Sequence, residues 1–267
     1  MTSKFDSDGL WLNEYASNEK LSDVYFKRAT GALPEMESSK AVAKLIASRM
    51  RPDERVLDVG CGSAHYLWSL RREISFGFNY VGVDYHDMFL NKARRAWSDE
   101  PTASFRLGSV FDLPASDGEF DIVMCNNLIM HLPSLEAPMG ELIRSSRRLV
   151  VIRTLVGNRS FRIQEVFNSD WYFDTDVSSS DEFTRDGSPR AYSFSNIYSE
   201  AYFTAVIKRH APAARIEYIV DDQFESAAIE SSAKNEKLHS ATQIIGGKQV
   251  MGYILCPYQF IVIDLSG

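Results

Sequence analysis

Residues Val56-Leu57-Asp58-Val59-Gly60-Cys61-Gly62-Ser63 form an apolar run that ends in a Gly-x-Gly turn and passes into Ala64-His65-Tyr66-Leu67-Trp68. The pattern reads as strand, tight turn, helix. Two glycines let the backbone approach a ligand where a Cβ would clash, and the helix behind them offers unpaired N–H groups and the positive end of its dipole. A second apolar run, Tyr80-Val81-Gly82-Val83-Asp84, ends in an acid 24 residues after Gly60, the spacing at which a carboxylate meets a ribose hydroxyl pair. An adenosine-containing cofactor is therefore expected. A dinucleotide fingerprint wants a third glycine three residues after Gly62, which lets the helix pack close and leaves room for a pyrophosphate. His65 stands there, so the expected cofactor has no pyrophosphate.

The stretch Val56 to Leu67 resembles the first motif of class I S-adenosylmethionine (SAM) dependent methyltransferases, and Val81-Gly82-Val83-Asp84 resembles the second. Gly108-Ser109-Val110-Phe111-Asp112-Leu113-Pro114 is similar to the family's loop after strand three. Phe120 to Pro133, with Asn126, Asn127 and His131, is similar to strand four and its loop. Four segments in order over roughly the first 135 residues make the resemblance specific, and it loses specificity after about residue 156. It implies SAM as cofactor and a Rossmann-like three-layer α/β sandwich, with a seven-stranded, mostly parallel sheet and an inserted lid.

Alternating segments agree with that fold. Strands are expected at 55–60, 80–84, 104–110, 120–126, 147–155, Arg215–Val220 and Phe260–Leu265, with helices at 38–50 and Ser199–His210 among the crossovers. The family's Lys-Pro-Gly-Gly turn into strand five is replaced by Ile143-Arg144-Ser145-Ser146-Arg147-Arg148. Four regions are expected: an N-terminal cover segment over 1–35, a SAM-binding core over 36–156, an acceptor-side insert over 157–198, and the C-terminal half of the core over 199–267 with a second insertion at 223–257. Between Glu165 and Gly187 seven acids and one base, Arg185, are mixed with Phe167, Trp171, Tyr172, Phe173 and Phe183. So many rings among acids suit a wall over an acceptor, although a dimer contact or a satellite core would use them too.

Charge narrows the partners. With 36 acids against 29 bases the net charge is −7, which disfavours a phosphate-tracking surface, because each phosphate contact needs a Lys or Arg. Nucleic acid is not expected as a substrate. Three cysteines, Cys61, Cys125 and Cys256, cannot all pair and read as small reduced hydrophobes, in line with a cytoplasmic address. No apolar run is long enough to span a membrane, so no membrane partner is expected. A homodimer is left open.

By resemblance, the cofactor-binding residues are Asp58, Gly60, Cys61, Gly62, Asp84, Tyr85, Ser109, Val110, Phe111 and Asn126. Asp58 approaches the amino group of SAM or orders the glycine loop; its alternative is a capping carboxylate. Asp84 takes the ribose hydroxyls, and Tyr85 lies against the adenine. Ser109 replaces the Asp that commonly receives the adenine amino group, with the Val110 and Phe111 backbone reading the ring edge. Asn126 closes strand four where the methionine end and the acceptor meet. His65 and His86 read as loop scaffolding, and His210 and His239 as surface residues.

Methyl transfer from a sulfonium asks mainly for alignment of acceptor, methyl and sulfur, which turns an encounter into a unimolecular step. A base helps if the acceptor is a hydroxyl. His131, just beyond strand four, is the candidate base, since imidazole titrates near neutrality; a structural or cofactor-contacting histidine is the alternative. The amides Asn126 and Asn127 stand where a magnesium site would want carboxylates, so no metal is expected, with Asp221-Asp222 and the insert acids as the competing signal. The expected function is metal-free, in-line methyl transfer to a small-molecule or glycan acceptor, at oxygen, with nitrogen as the next choice. The competing readings are a catalytically silent SAM-binding partner subunit and a methyltransferase acting on a protein or nucleic acid.

Overall fold

The computed structural model describes residues 19–166, 185–187, 192–222, 224, 243–245, 248–250 and 256–267. Its first half runs α1 (Glu19–Ala29), α2 (Glu37–Ala47), β1 (Arg55–Val59), α3 (His65–Glu73), β2 (Asn79–Asp84), α4 (Asp87–Ala96), β3 (Ala103–Leu107) and β4 (Phe120–Asn126). A short 3-10 turn (Ile129–His131) then leads to α5 (Glu136–Ser145), β5 (Ser146–Gly157), β6 (Gln164–Val166), β7 (Tyr192–Phe194), β8 (Tyr198–Ser199), α6 (Glu200–His210) and β9 (Arg215–Val220). The hairpin β10 (Gln243–Ile245) and β11 (Lys248–Val250) precedes β12 (Tyr258–Asp264).

The main sheet has the order β3-β2-β1-β4-β5-β12-β9, with β8 paired to the end of β5. Strands β3 to β5 are parallel, and β12 lies antiparallel between β5 and β9. This is the expected mostly parallel α/β sandwich. Side-chain alternation along the strands feeds two cores. On one face Val56, Tyr80, Met124, Val151 and Phe260 pack against Val42, Ile46, Leu67 and Leu70 of α2 and α3. On the other, Leu57, Val123, Cys125 and Ile152 pack against Leu142 and Val206 of α5 and α6. Each such fully buried aliphatic contributes roughly 1.5–3 kcal/mol. The central β5 is buried on both faces over Leu149–Val156, which is why its sequence reads as a continuous apolar run.

Several boundaries differ from expectation. The third strand stops at Leu107 rather than 110, because Gly108 turns against Pro114, where a Cβ would come within 2.5 Å of the proline ring, and Ser109 folds back to bridge Asp112. The last strand is Tyr258–Asp264, displaced from Phe260–Leu265. The helix expected at 38–50 ends at Ala47, and α6 starts after Ser199, whose hydroxyl caps it by accepting the Tyr202 N–H at 3.2 Å. Much of the sequence expected to form the cover and the two insertions lies outside the described residues, including Trp11, Tyr15, Phe167 to Phe183 and His239. All three cysteines are free and buried. Among the described residues no helix is long and apolar enough to cross a membrane.

Candidate cofactor and active site

The chain leaves β1 toward β2 and β3 on one side, and β4 then returns to the other side of β1. A crevice opens outside the carboxyl ends of strands at such a reversal. The residues expected to bind the cofactor follow the carboxyl ends of successive strands: Asp58, Gly60, Cys61 and Gly62 at β1, Asp84 and Tyr85 at β2, Ser109 to Phe111 after β3, and Asn126 at β4. Gly60 and Cys61 both donate their N–H to the Val83 carbonyl, at 2.8 and 3.1 Å, and Gly62 donates to Asp84 Oδ2 at 2.9 Å. Gly60 has φ +77 and Gly62 φ +55, a region costly to side-chain-bearing residues. A Cβ at Gly60 would also come within 2.8 Å of Leu128. Ala64, at the head of α3, nevertheless adopts φ 59, local strain of about 1–2 kcal/mol concentrated at the turn.

Asp84 also accepts the His86 N–H on Oδ1 at 3.0 Å, so its carboxylate ties the glycine loop to the end of β2. Burial raises its pKa against those bonds. Asp58 is 1% exposed and makes no bond to the glycine loop in the structure; it accepts the Tyr80 hydroxyl at 2.6 Å. The loop-ordering bond offered for Asp58 is thus made by Asp84. Burial pushes Asp58 up to about 7, opposed by the Tyr80 bond.

Tyr85 is exposed, its ring edge-on to His86 at 5.2 Å. Ser109 Oγ accepts the Phe111 N–H at 3.2 Å, so that amide is engaged within the loop, while Val110 is buried in the core and Phe111 packs against it. Asn126 is 7% exposed, and neither atom of its amide has a partner among the described residues. An unsatisfied buried amide is costly and marks a place for a ligand or water.

His131 Nδ1 lies 2.6 Å from the Phe194 carbonyl. Neutral imidazole must donate there, which places its basic lone pair on Nε2. His65 is buried, stacks on Tyr25 at 4.5 Å and is pushed down to about 3 by burial, so it stays neutral. His210 is exposed and pairs with Glu136.

Two features escaped the sequence reading. The first is how α1, a helix within the 1–35 segment expected as a cover, meets the glycine turn. The Tyr25 ring lies 3.3 Å from where a Gly62 Cβ would be, and Ser63 Oγ donates to the Ser22 carbonyl at 3.3 Å. The second is a buried polar chain. Arg153 of β5, 2% exposed, donates through Nε to Asp221 Oδ2 at 2.7 Å and through Nη1 to Asn127 Oδ1 at 2.5 Å, and its guanidinium lies 4.1 Å over the Tyr258 ring. Asn127 Nδ2 donates to Tyr66 Oη at 3.1 Å. A single cation inside the apolar run Leu149-Val150-Val151-Ile152-Arg153-Thr154-Leu155 was the available signal, since a buried Arg requires a partner.

A methyltransferase-domain family model matches residues 50–182. The chain belongs to the class I SAM-dependent methyltransferases. One relative of this methyltransferase-family chain, an uncharacterized methyltransferase of Schizosaccharomyces pombe, is 33% identical over 37% of this chain and 38% of its own length. The demethylmenaquinone methyltransferase of Staphylococcus saprophyticus is 27% identical over 48% of this chain and 58% of its own length. The matches thus span 30 to 58% of the length of these and a Streptomyces fradiae relative. A solved structure, from the complex between the Haloferax volcanii Trm112 methyltransferase activator and a methyltransferase, shares the fold with TM-score 0.56 and 19% identity over 94% of this chain and 98% of its own.

SAM is the cofactor of this family, and the crevice suits it. It offers two carboxylates to a ligand carrying an ammonium and a ribose, and an amide, Asn126, that has polar atoms to satisfy.

Proposed function

We propose that this chain transfers a methyl group from SAM to a hydroxyl of a small-molecule or glycan acceptor without a metal. The observation that carries the reading is the unpartnered, buried amide of Asn126 at the end of β4, beside the strand whose Gly60–Gly62 turn is anchored on Asp84. When bound, SAM supplies a methyl on a sulfonium, a leaving group good enough for in-line displacement. Gly60, Cys61 and Gly62 form the cofactor's backbone cradle. Asp84 takes the ribose hydroxyls, Asp58 the ammonium and Tyr85 the adenine face; Ser109 and the Val110 backbone take the ring edge, the Phe111 amide being engaged by Ser109 Oγ and so withdrawn from the role expected for it. Asn126 holds the methionine end, and His131 accepts the acceptor's proton at Nε2. A small acceptor agrees with the named substrate class of the Staphylococcus relative, a demethylmenaquinone, and the acidic, aromatic composition of 157–198 disfavours a polyanion.

Metal independence has its own support. Asn127 Oδ1 already accepts from Arg153, and Asp221, one of the acids that competed for a metal role, is the partner of the same guanidinium. A divalent cation there would face a fixed positive charge. Turnover is expected to be unchanged in EDTA; loss of turnover restored by magnesium would contradict this.

The function is tested by incubating the protein with labelled SAM and separate panels of phenols and alcohols, glycans, protein and RNA. Label should enter the hydroxyl compounds. His131→Ala should lower turnover by about 10²-fold or more, the usual contribution of a positioned base, at unchanged S-adenosylhomocysteine affinity. Label entering only protein or RNA, or binding without turnover on any panel, would overturn the reading.

A further inference from the structure

Asp58 and Tyr80 form a pair buried between β1 and β2. The Tyr80 hydroxyl donates to Asp58 Oδ2 at 2.6 Å, and each residue is 1% exposed. The geometry is locked from both sides. Tyr80 is in register with Val56 on the neighbouring strand, two residues before Asp58, and its ring meets Phe105 of β3 edge-on at 6.2 Å. The ionisable groups acting with Asp58 are Tyr80 and Asp84 of β2, Cys61 of the glycine loop, Tyr66 of α3 and Cys125 of β4. None of them is a cation. An ionised carboxylate in such a place is expensive unless something positive joins it. Asn126 lies on the same face of the sheet, two residues beyond the Met124 that pairs with Asp58, and its amide has no partner among the described residues.

We infer that Tyr80 is a positioning residue for cofactor capture: its hydroxyl fixes the Asp58 carboxylate in the ionised form that receives the ligand's ammonium, so that affinity rises with pH through neutrality. This rests on the SAM-binding role proposed above. The sign follows from the bond. Burial drives Asp58 toward its protonated form, and a donated hydrogen bond favours the anion. A protonated Asp58 offers no charge to an ammonium, so binding weakens as pH falls. Removing the hydroxyl moves the onset of binding to higher pH. A loss of packing alone would lower affinity by the same factor at every pH.

The experiment is calorimetric titration of S-adenosylhomocysteine into the native protein, Tyr80→Phe and Asp58→Asn between about pH 5.5 and 8.5, a range that brackets the expected midpoint. Native affinity should rise about tenfold or more across the range. Tyr80→Phe should bind weakly at neutral pH, approach native affinity at the alkaline end and show its midpoint shifted upward. Asp58→Asn should bind weakly and lose the rise through neutrality seen in the native protein. Site-specific Tyr80→3-fluorotyrosine, a stronger donor of the same shape, should shift the midpoint downward and decides the matter if Tyr80→Phe does not fold. A flat native profile, or a Tyr80→Phe or fluorotyrosine profile parallel to native, overturns the inference and leaves the SAM-binding reading standing. No native binding at any pH overturns both.

Discussion

Arg153→Met should destabilise the protein by roughly 3–5 kcal/mol, the range for removing one partner of a buried ion pair. The pair is closed off from water: the Arg153 and Asp221 side chains are 2% and 1% exposed, with Nη2 at 2.6 Å from Asp221 Oδ2. Methionine fills much of the arginine's volume, so the loss comes from the guanidinium withdrawn from Asp221 and from the donor withdrawn from Asn127. The double variant Arg153→Met with Asp221→Leu should recover most of the stability, because apolar replacement of a whole buried pair is often neutral. Urea unfolding at neutral pH measures both. A loss under about 1 kcal/mol in the single variant would show that water or rearrangement relieves Asp221.

Asp84→Ala should weaken S-adenosylhomocysteine binding by roughly 1.5–3 kcal/mol, about ten- to 150-fold. Two effects act together. The variant removes the acceptor of the Gly62 and His86 N–H groups, at 2.9 and 3.0 Å, and with it the anchor of a turn held in an unfavourable backbone region. It also removes the carboxylate proposed to meet the ribose, a charge-assisted contact. Native-like affinity in Asp84→Ala would remove this residue from the site.

The sheet was legible because its strands are marked by local chemistry. Val56–Gly62, Val81–Asp84 and Phe120–Asn126 each combine an apolar run with a terminal Gly, Asp or Asn, and those positions stand at strand ends in the structure. Boundaries set by packing were less legible: β3 ends early because Gly108 turns against Pro114, a residue outside the strand that no propensity signal within it reveals. The site's long-range bonds were the least legible. Tyr80 looks like an ordinary strand aromatic, yet its hydroxyl reaches Asp58 because β1 and β2 are in register at Val56 and Tyr80. Tyr25 reads as one ring among polar residues, and only the packing of α1 on the glycine turn brings it over Gly62. Arg153 did carry a signal, a lone cation in an apolar strand, but its partner Asp221 is 68 residues away.

The central claim, that the crevice between the carboxyl ends of β1 and β4 is a SAM site, is tested most directly by a crystal structure with S-adenosylhomocysteine. The ligand should lie along Gly60–Gly62, with its ribose on Asp84, its ammonium on Asp58 and its methionine end bonded to the Asn126 amide. Ligand found elsewhere, or an Asn126 amide still without a ligand contact, would contradict the account.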